Sequence, residues 1–214
     1  MSYLVDVATL ARKDLRLELR ARDTVPAMLL FVVSALVIFH FALPEESSGP
    51  AAVGLLWIAI LFTALLGLGR AFMAEREQGL LDGLVLAPCD RSAIWLGKTL
   101  STLVFLLLVE AIALPAFALF FDGSRIGPAA IAGVLLADLG IATVGTLLAA
   151  MASASRAREL LLPLLFLPVV IPLLVGGVGA AVEPDPARYL GFLGLYDLIF
   201  AILSWASFEY VVTE

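Results

Sequence analysis

EREQGLLDGLVLAPCDRSAIWLGK, residues 75–98, is the one long charged stretch in the middle of a chain otherwise made of apolar runs. Four aliphatic residues inside it recur at three- and four-residue spacing, which places them on one stripe of a helix. They are Leu80, Leu81, Leu84 and Val85. We therefore predict a short amphipathic helix between two membrane spans, where it could transmit movement from a soluble partner into the bilayer.

The composition is that of a membrane protein. Apolar residues make up 62% of the 214 residues without counting glycine, charged residues only 15%, and the mean hydropathy is +1.07. A soluble domain has about 45–50% apolar residues with glycine included, and so much apolar surface in water would aggregate. The net charge of −6 argues against a nucleic-acid partner, because phosphate binding needs a basic face. The single cysteine, Cys89, excludes an intramolecular disulfide and a multi-cysteine metal site.

Six apolar runs predict an all-α membrane protein with six transmembrane helices in a single domain, residues 1–214. Each run has at least twenty residues, enough to cross about 30 Å of hydrocarbon. The predicted spans are residues 24–43, 51–73, 99–121, 129–151, 160–182 and 189–212. In the fifth span Pro163, Pro168 and Pro172 each remove a backbone donor. We expect a kinked helix there, one that could turn back before crossing fully.

Residues 1–23 predict an amphipathic helix that lies in the membrane interface, with apolar residues below and arginines at headgroup level. A solvated charged tail is the alternative. The apolar side consists of Leu4, Ala8, Ala11, Leu15 and Leu19, with Arg12, Arg16 and Arg20 adjacent.

The distribution of basic residues predicts the orientation. Eleven of the thirteen lysines and arginines lie in the N-terminal helix, between Arg70 and Lys98, or in the loop that carries Arg156 and Arg158. The positive-inside rule then places both termini and residues 75–98 in the cytoplasm of a multi-pass protein of the bacterial inner membrane. No internal repeat is visible, which speaks against the inverted-repeat carriers.

No nucleotide site is expected on this chain. Gly97-Lys98-Thr99 resembles the end of a phosphate-binding loop, but Ser92 stands where that loop needs its first glycine. The chain is therefore not predicted to be an enzyme, and any ATP hydrolysis belongs to another subunit.

Three acidic residues fall inside predicted spans. Glu110 and Asp138 lie near the centres of the third and fourth, and Asp197 lies in the sixth. A charge at the bilayer centre costs about 2.5–3.5 kcal/mol, so each should face protein or water or be protonated. They could form a polar lining for substrate or coupling protons, or an interhelical hydrogen bond; we favour the second. His40 could contact haem iron or be an ordinary interfacial residue.

The charged residues at the start of the stretch have two compatible roles. Glu75, Arg76 and Glu77 could favour the N-terminus of the predicted helix or contact a partner directly. The leucine stripe could be buried in its own bundle, among lipid headgroups or in a partner's groove. Charges on both sides of the stripe favour the groove.

The pattern Glu77-x-Gly79-x-Leu81-x-x-Leu84-x-Leu86-x-Pro88, followed by Lys98 at the next span, resembles the cytoplasmic coupling segment of exporter-type ABC permeases. Four longer strings resemble one branch, the CcmB family, the permease of haem export in cytochrome c maturation. They are KDLRLELRAR (13–22), GLLWIAILFTALLGLGRAF (54–72), DRSAIWLGK (90–98) and RARELLLPLLFLPVVIP (156–172), and the closing residues 208–211 also fit. Trp205 and Gly179 depart from the pattern, standing where relatives often have proline and an acidic residue respectively.

The resemblance implies a permease that works as a pair with a second copy on an ATPase dimer of the CcmA type, together with CcmC, CcmD and CcmE. Haem would be a transported or handled ligand rather than a firmly bound cofactor. The complex would export haem or drive release of a haem-loaded chaperone. The residues implied for ATPase coupling are Glu75, Arg76, Glu77, Gly79, Leu80, Leu81, Leu84, Pro88 and Lys98.

Three other functions stay open at this point. The chain could be an ABC exporter permease for another hydrophobic substrate. It could be a non-conducting membrane scaffold that positions haem-handling partners. It could also be a proton-coupled carrier that uses Glu110 and Asp138, although the missing repeat and the long charged stretch speak against that.

Overall fold

The computed structural model describes residues 3–43, 49–73, 90–121, 126–153, 155 and 157–213. Within these ranges the chain is all-helical, and helices α2 to α7 are each long and apolar enough to cross a membrane. The prediction of an all-α protein with six candidate spans is confirmed. The helices are α1 (Tyr3–Ala21), α2 (Thr24–Ala42), α3 (Pro50–Arg70), α4 (Arg91–Phe120), α5 (Pro128–Ser153), α6 (Arg158–Val182) and α7 (Pro186–Thr213).

Helix α5 is the centre of the bundle, in contact with α3, α4, α6 and α7. Glycines on α5 let neighbouring helices approach closely, as small residues do in membrane bundles. A Cβ on Gly140 would lie 2.9 Å from the Leu173 side chain, and one on Gly145 would overlap the buried Leu68. Close helix packing around α5 therefore depends on these positions staying small.

The charged ends of several helices meet at one end of the bundle. Nη1 of Arg70, at the end of α3, donates to the Asp23 carbonyl before α2, at 2.8 Å. Nη1 of Arg91, at the start of α4, lies 3.7 Å from Oε1 of Glu209 near the end of α7. We call this the basic end of the bundle, and the other the opposite end.

Helix α4 begins eight residues before the predicted third span. Asp90 is its N-cap, and its Oδ1 accepts a hydrogen bond from the Ser92 amide at 3.2 Å. Residues 91–98 therefore extend the span and are not part of a separate segment. The other predicted spans differ from the observed helices by three residues or fewer at each end.

Helix α6 runs without a break from Arg158 to Val182, through all three of its prolines. The span therefore does not turn back, a possibility that the sequence left open. The Tyr196 hydroxyl of α7 donates to the Val169 carbonyl at 2.8 Å and so joins the proline-rich part to α7. Proline inside a membrane helix is tolerated where neighbouring helices and local adjustments compensate the weakened backbone bonding.

Helix α1 packs on the start of α4 through a face that shares only Ala11 with the predicted apolar side. Val7 and Ala11 are buried, whereas Leu4 and Leu19 are 72% and 75% exposed. A Cβ on Gly97 would lie 2.8 Å from Leu10 Cβ, so the two helices touch closely here. The exposed leucines leave an apolar side free for lipid, and placement of α1 in the membrane interface stays a prediction.

Candidate functional site

Most of the predicted ATPase-coupling residues lie in residues 74–89, outside the described residues. Glu75, Arg76, Glu77, Gly79, Leu80, Leu81, Leu84 and Pro88 therefore stay predictions. The described chain stops at Met73 after α3 and resumes at Asp90 before α4. Both points lie at the basic end of the bundle, so the structure fixes where this stretch is attached.

Lys98 is the coupling candidate that the structure describes, and it points inward. It is 6% exposed, and its Nζ lies 3.1 Å from Oδ2 of Asp14 on α1. The same ammonium donates to the Ala71 carbonyl at 2.6 Å and sits 5.0 Å from the centre of the Phe72 ring. The Ser101 hydroxyl donates to Asp14 at 3.3 Å. Lys98 thus joins α1, α3 and α4 and is almost completely buried, and its role in ATPase coupling stays a prediction.

Glu18 fixes the turn between α1 and α2. Its Oε1 accepts hydrogen bonds from the amides of Thr24 and Val25, both at 2.8 Å. These are among the first amides of α2, which have no partner inside the helix. Arg22 adopts a left-handed backbone with φ of 58°, a conformation that costs a non-glycine residue energy. Glu18 therefore holds α2 at a set angle to α1.

Two cavities open at the basic end, one on each side of α3. The first, about 440 Å³, lies among α1, α2, α3 and α4 and carries charges of both signs, including Glu18 and Arg70. The second, about 400 Å³, is mainly apolar and lies between α3, α5 and α6. Met73 lines both cavities, so the chain leaves α3 between them.

The three buried acids are separate from both cavities. Glu110 on α4 and Asp138 on α5 are 5% and 0% exposed, and their carboxyl groups lie close enough to share a hydrogen bond when one is protonated. Asp197 is also buried, and its Oδ1 would lie 2.6 Å from a Cβ on Gly140. Within the described part of the chain, no donor side chain or amide reaches the carboxyl oxygens of these three residues. This arrangement fits a bond between helices better than the wall of a substrate path.

We expect the double variant Glu110→Gln/Asp138→Asn to keep its activity and stability, because the two amides can form the same interhelical hydrogen bond. Such bonds contribute about 0.6 kcal/mol on average inside membranes. The measurement is thermal stability in detergent together with complementation of a strain lacking this gene. Asp138→Ala is the contrasting variant, since it leaves Glu110 without its neighbour and should cost about 1–3 kcal/mol. A stable double variant without activity would instead indicate a role in proton or substrate movement.

His40 lies at the opposite end of the bundle and is exposed. Three phenylalanine rings surround it, with centres 5.2, 5.4 and 5.8 Å from the imidazole: Phe41, Phe120 and Phe121. The described residues contain no group of three potential metal ligands around it or elsewhere. An aromatic setting would suit a flat apolar ligand, but contact with haem stays a prediction.

Asp14 was not among the site residues predicted from the sequence. A signal was present, because Val7, Ala11 and Asp14 follow the spacing of one helix face. This spacing identifies Asp14 as a contact residue only when Gly97 and Lys98 of α4 are known to pack against the same face of α1. Gly179, which departs from the family pattern, packs directly against the Tyr189 ring, so an acidic side chain does not fit there without rearrangement.

The chain matches the family described as CcmB protein over residues 5–206. Heme exporter protein B of Paracoccus denitrificans is 32% identical over 205 residues, which cover 92% of both chains. Proteins of the same name from Bradyrhizobium diazoefficiens and Pseudomonas aeruginosa are each 30% identical, covering 82% and 80% of this chain and 80% and 78% of the relatives. Six apolar helices and these relatives together identify a multi-pass membrane protein. The chain belongs to the CcmB family.

Proposed function

We propose that this chain is the permease subunit of an ABC complex that serves haem export in cytochrome c maturation. The main support for this proposal is the family match over residues 5–206, with relatives named heme exporter protein B. The fold supports it, because six helices long enough to span a membrane surround a compact core. Haem is the transported or handled ligand, and no firmly bound cofactor is needed.

We propose the cytoplasm as the location of the basic end. Eleven of thirteen lysines and arginines belong to the segments that the positive-inside rule assigns there. The contacts of Arg70 with Asp23 and of Arg91 with Glu209 gather four helix ends on that side. Both termini and residues 74–89 then face the cytoplasm, where an ATPase subunit can reach them.

The ATPase contact is assigned to the leucine stripe and the charges before it. Leu80, Leu81 and Leu84 would enter an apolar groove of a CcmA-type subunit, and nucleotide binding would bias the bundle between two states. This chain hydrolyses no nucleotide itself. A second copy of the permease and proteins of the CcmC, CcmD and CcmE types complete the proposed complex.

A pull-down from detergent tests the proposal. The permease, tagged and expressed in its own host, is expected to bring down an ATPase with a phosphate-binding loop and haem-handling proteins. An ATPase variant that binds but does not hydrolyse ATP should stop cytochrome c maturation while staying bound. Normal maturation with that dead ATPase would overturn the proposal.

The same experiment distinguishes an ATP-driven permease from a non-conducting scaffold. The two cavities lie at the basic end, and neither is lined by residues of the opposite end, so neither of them crosses the bundle. A non-conducting scaffold fits that observation and predicts full maturation without ATP hydrolysis. Release of a haem-loaded chaperone also fits it, but requires hydrolysis.

A further inference from the structure

Helix α1 is tied to the start of α4 at four successive positions. The Ser92 hydroxyl donates to the Tyr3 hydroxyl at 3.2 Å, and Gly97 lies against Leu10. Further along, the buried pair of Asp14 and Lys98 joins the helices at 3.1 Å, and Ser101 adds a hydrogen bond to Asp14. These contacts extend over nearly three turns of α4, so the two helices have a single register.

The same cluster reaches the end of α3. Lys98 donates to the Ala71 carbonyl and lies over the Phe72 ring, both in the last described turn after α3. Arg70 donates to the carbonyl of Asp23, directly before α2. Because Glu18 sets the angle between α1 and α2, the basic ends of α2, α3 and α4 are all joined to α1.

Burial makes the link between Asp14 and Lys98 resist separation. Their side chains are 10% and 7% exposed. A buried ion pair adds little to stability compared with an apolar pair, yet removing one partner leaves an uncompensated charge that is strongly unfavourable. Sliding α1 along α4 would separate the charges in the same way. The pair therefore opposes relative movement of the helices more than it stabilises the fold.

We propose that Asp14 and Lys98 are positioning residues that lock the basic ends of α2, α3 and α4 to α1 as one moving body. The inference rests on the proposed function, since it concerns how ATPase movement enters the bundle. Force that the ATPase applies to the chain between α3 and α4 is then transmitted to α2, α3 and α4 together. Lys98 acts in coupling through this lock, not through direct contact with the ATPase.

Distances between spin labels test the lock in the complete complex. One label replaces Leu19 of α1 and the second replaces Leu100 of α4, both exposed, in a chain that carries Cys89→Ser. Labelled copies are diluted with unlabelled Cys89→Ser copies, so that only distances within one subunit are measured. A reference pair joins Leu100→Cys to Asp185→Cys, on the exposed turn between α6 and α7. On nucleotide binding, we expect the Leu19→Cys/Leu100→Cys distance to stay constant while the reference distance shifts.

The outcomes separate this inference from the proposed function. If both distances shift by similar amounts, α1 does not move with α4 and the lock is overturned. If the reference distance stays constant and no ATPase is bound, the proposed function fails. The lock is then still tested without nucleotide, because Asp14→Asn/Lys98→Met should broaden the Leu19→Cys/Leu100→Cys distance distribution. An unchanged width there contradicts the lock.

A functional measurement completes the test. Asp14→Asn/Lys98→Met removes both charges of the pair together, so neither partner stays buried opposite a neutral side chain, and the permease should accumulate and bind its ATPase. We expect ATP hydrolysis to continue while maturation falls about tenfold, within the usual range of coupling between sites. Lys13→Gln is the matched control, since Lys13 lies 3.1 Å from the same carboxylate but is 36% exposed, where ion pairs contribute little. Wild-type maturation in the double variant would overturn the inference.

Discussion

Leu81→Asp and Leu84→Asp are each expected to abolish co-purification of the ATPase subunit with the permease. The leucine stripe is proposed to fill an apolar groove, and a carboxylate there would be buried without a partner. An uncompensated buried charge costs about 3–5 kcal/mol, which corresponds to a loss of affinity of more than a hundredfold. Detergent pull-down, followed by assay of ATP-dependent cytochrome c maturation, measures the effect.

Gly83→Asp is the control for these variants. It adds the same charge within the same stretch, but helical spacing places it on the side away from the stripe. We expect it to keep the ATPase bound. Undiminished co-purification with Leu81→Asp and Leu84→Asp, together with normal maturation, would show that the stripe is not the docking element.

The second large effect is expected from Gly177→Ala, at the contact between α6 and α3. A Cβ at this position would overlap the indole ring of Trp57, which is 2% exposed and held in the core. Overpacking of this kind costs about 1–3 kcal/mol and occasionally more, against a total stability of about 5–15 kcal/mol. We expect a lower melting temperature in detergent and a smaller monodisperse fraction on size-exclusion chromatography.

Gly194→Ala is the matched comparison, because nothing lies within 4 Å of a Cβ built there. Alanine favours a helix over glycine by about 1 kcal/mol, so this variant should be as stable as wild type or more so. Trp57→Leu should cost less stability in the Gly177→Ala background than in the wild type, because it makes room for the methyl group. Equal melting temperatures for Gly177→Ala and Gly194→Ala would contradict the close contact.

The six candidate spans could be predicted from the sequence, because run length compared with hydrocarbon thickness decides them. The first and last residues of the helices were harder to predict. The start of α4 at Arg91 depends on the cap at Asp90, whereas the apolar run that defines a span begins only at Thr99. The continuity of α6 through its three prolines depends on the surrounding bundle, which run length and composition do not describe.

The candidate site was predictable only in part. The sequence indicated that Glu110 and Asp138 need partners, but not that they face each other, since spacing along one helix says nothing about its neighbour. For α1 the predicted apolar side shares only Ala11 with the buried face. Lipid and protein interior are both apolar, so the periodicity of a membrane helix does not distinguish them.

The helices differ in length in a way that makes bilayer thickness a variable for this protein. With 19 residues, α2 is about 28 Å long, close to the hydrocarbon thickness, while the 30 residues of α4 reach about 45 Å. The two helices are in contact, yet of the two only α4 is clearly longer than the hydrocarbon layer is thick. A thinner or thicker membrane therefore acts on them unequally, changing the tilt of α4 and the depth of its first turns. The lipid composition of a reconstituted sample should accordingly be chosen to match that of the native membrane.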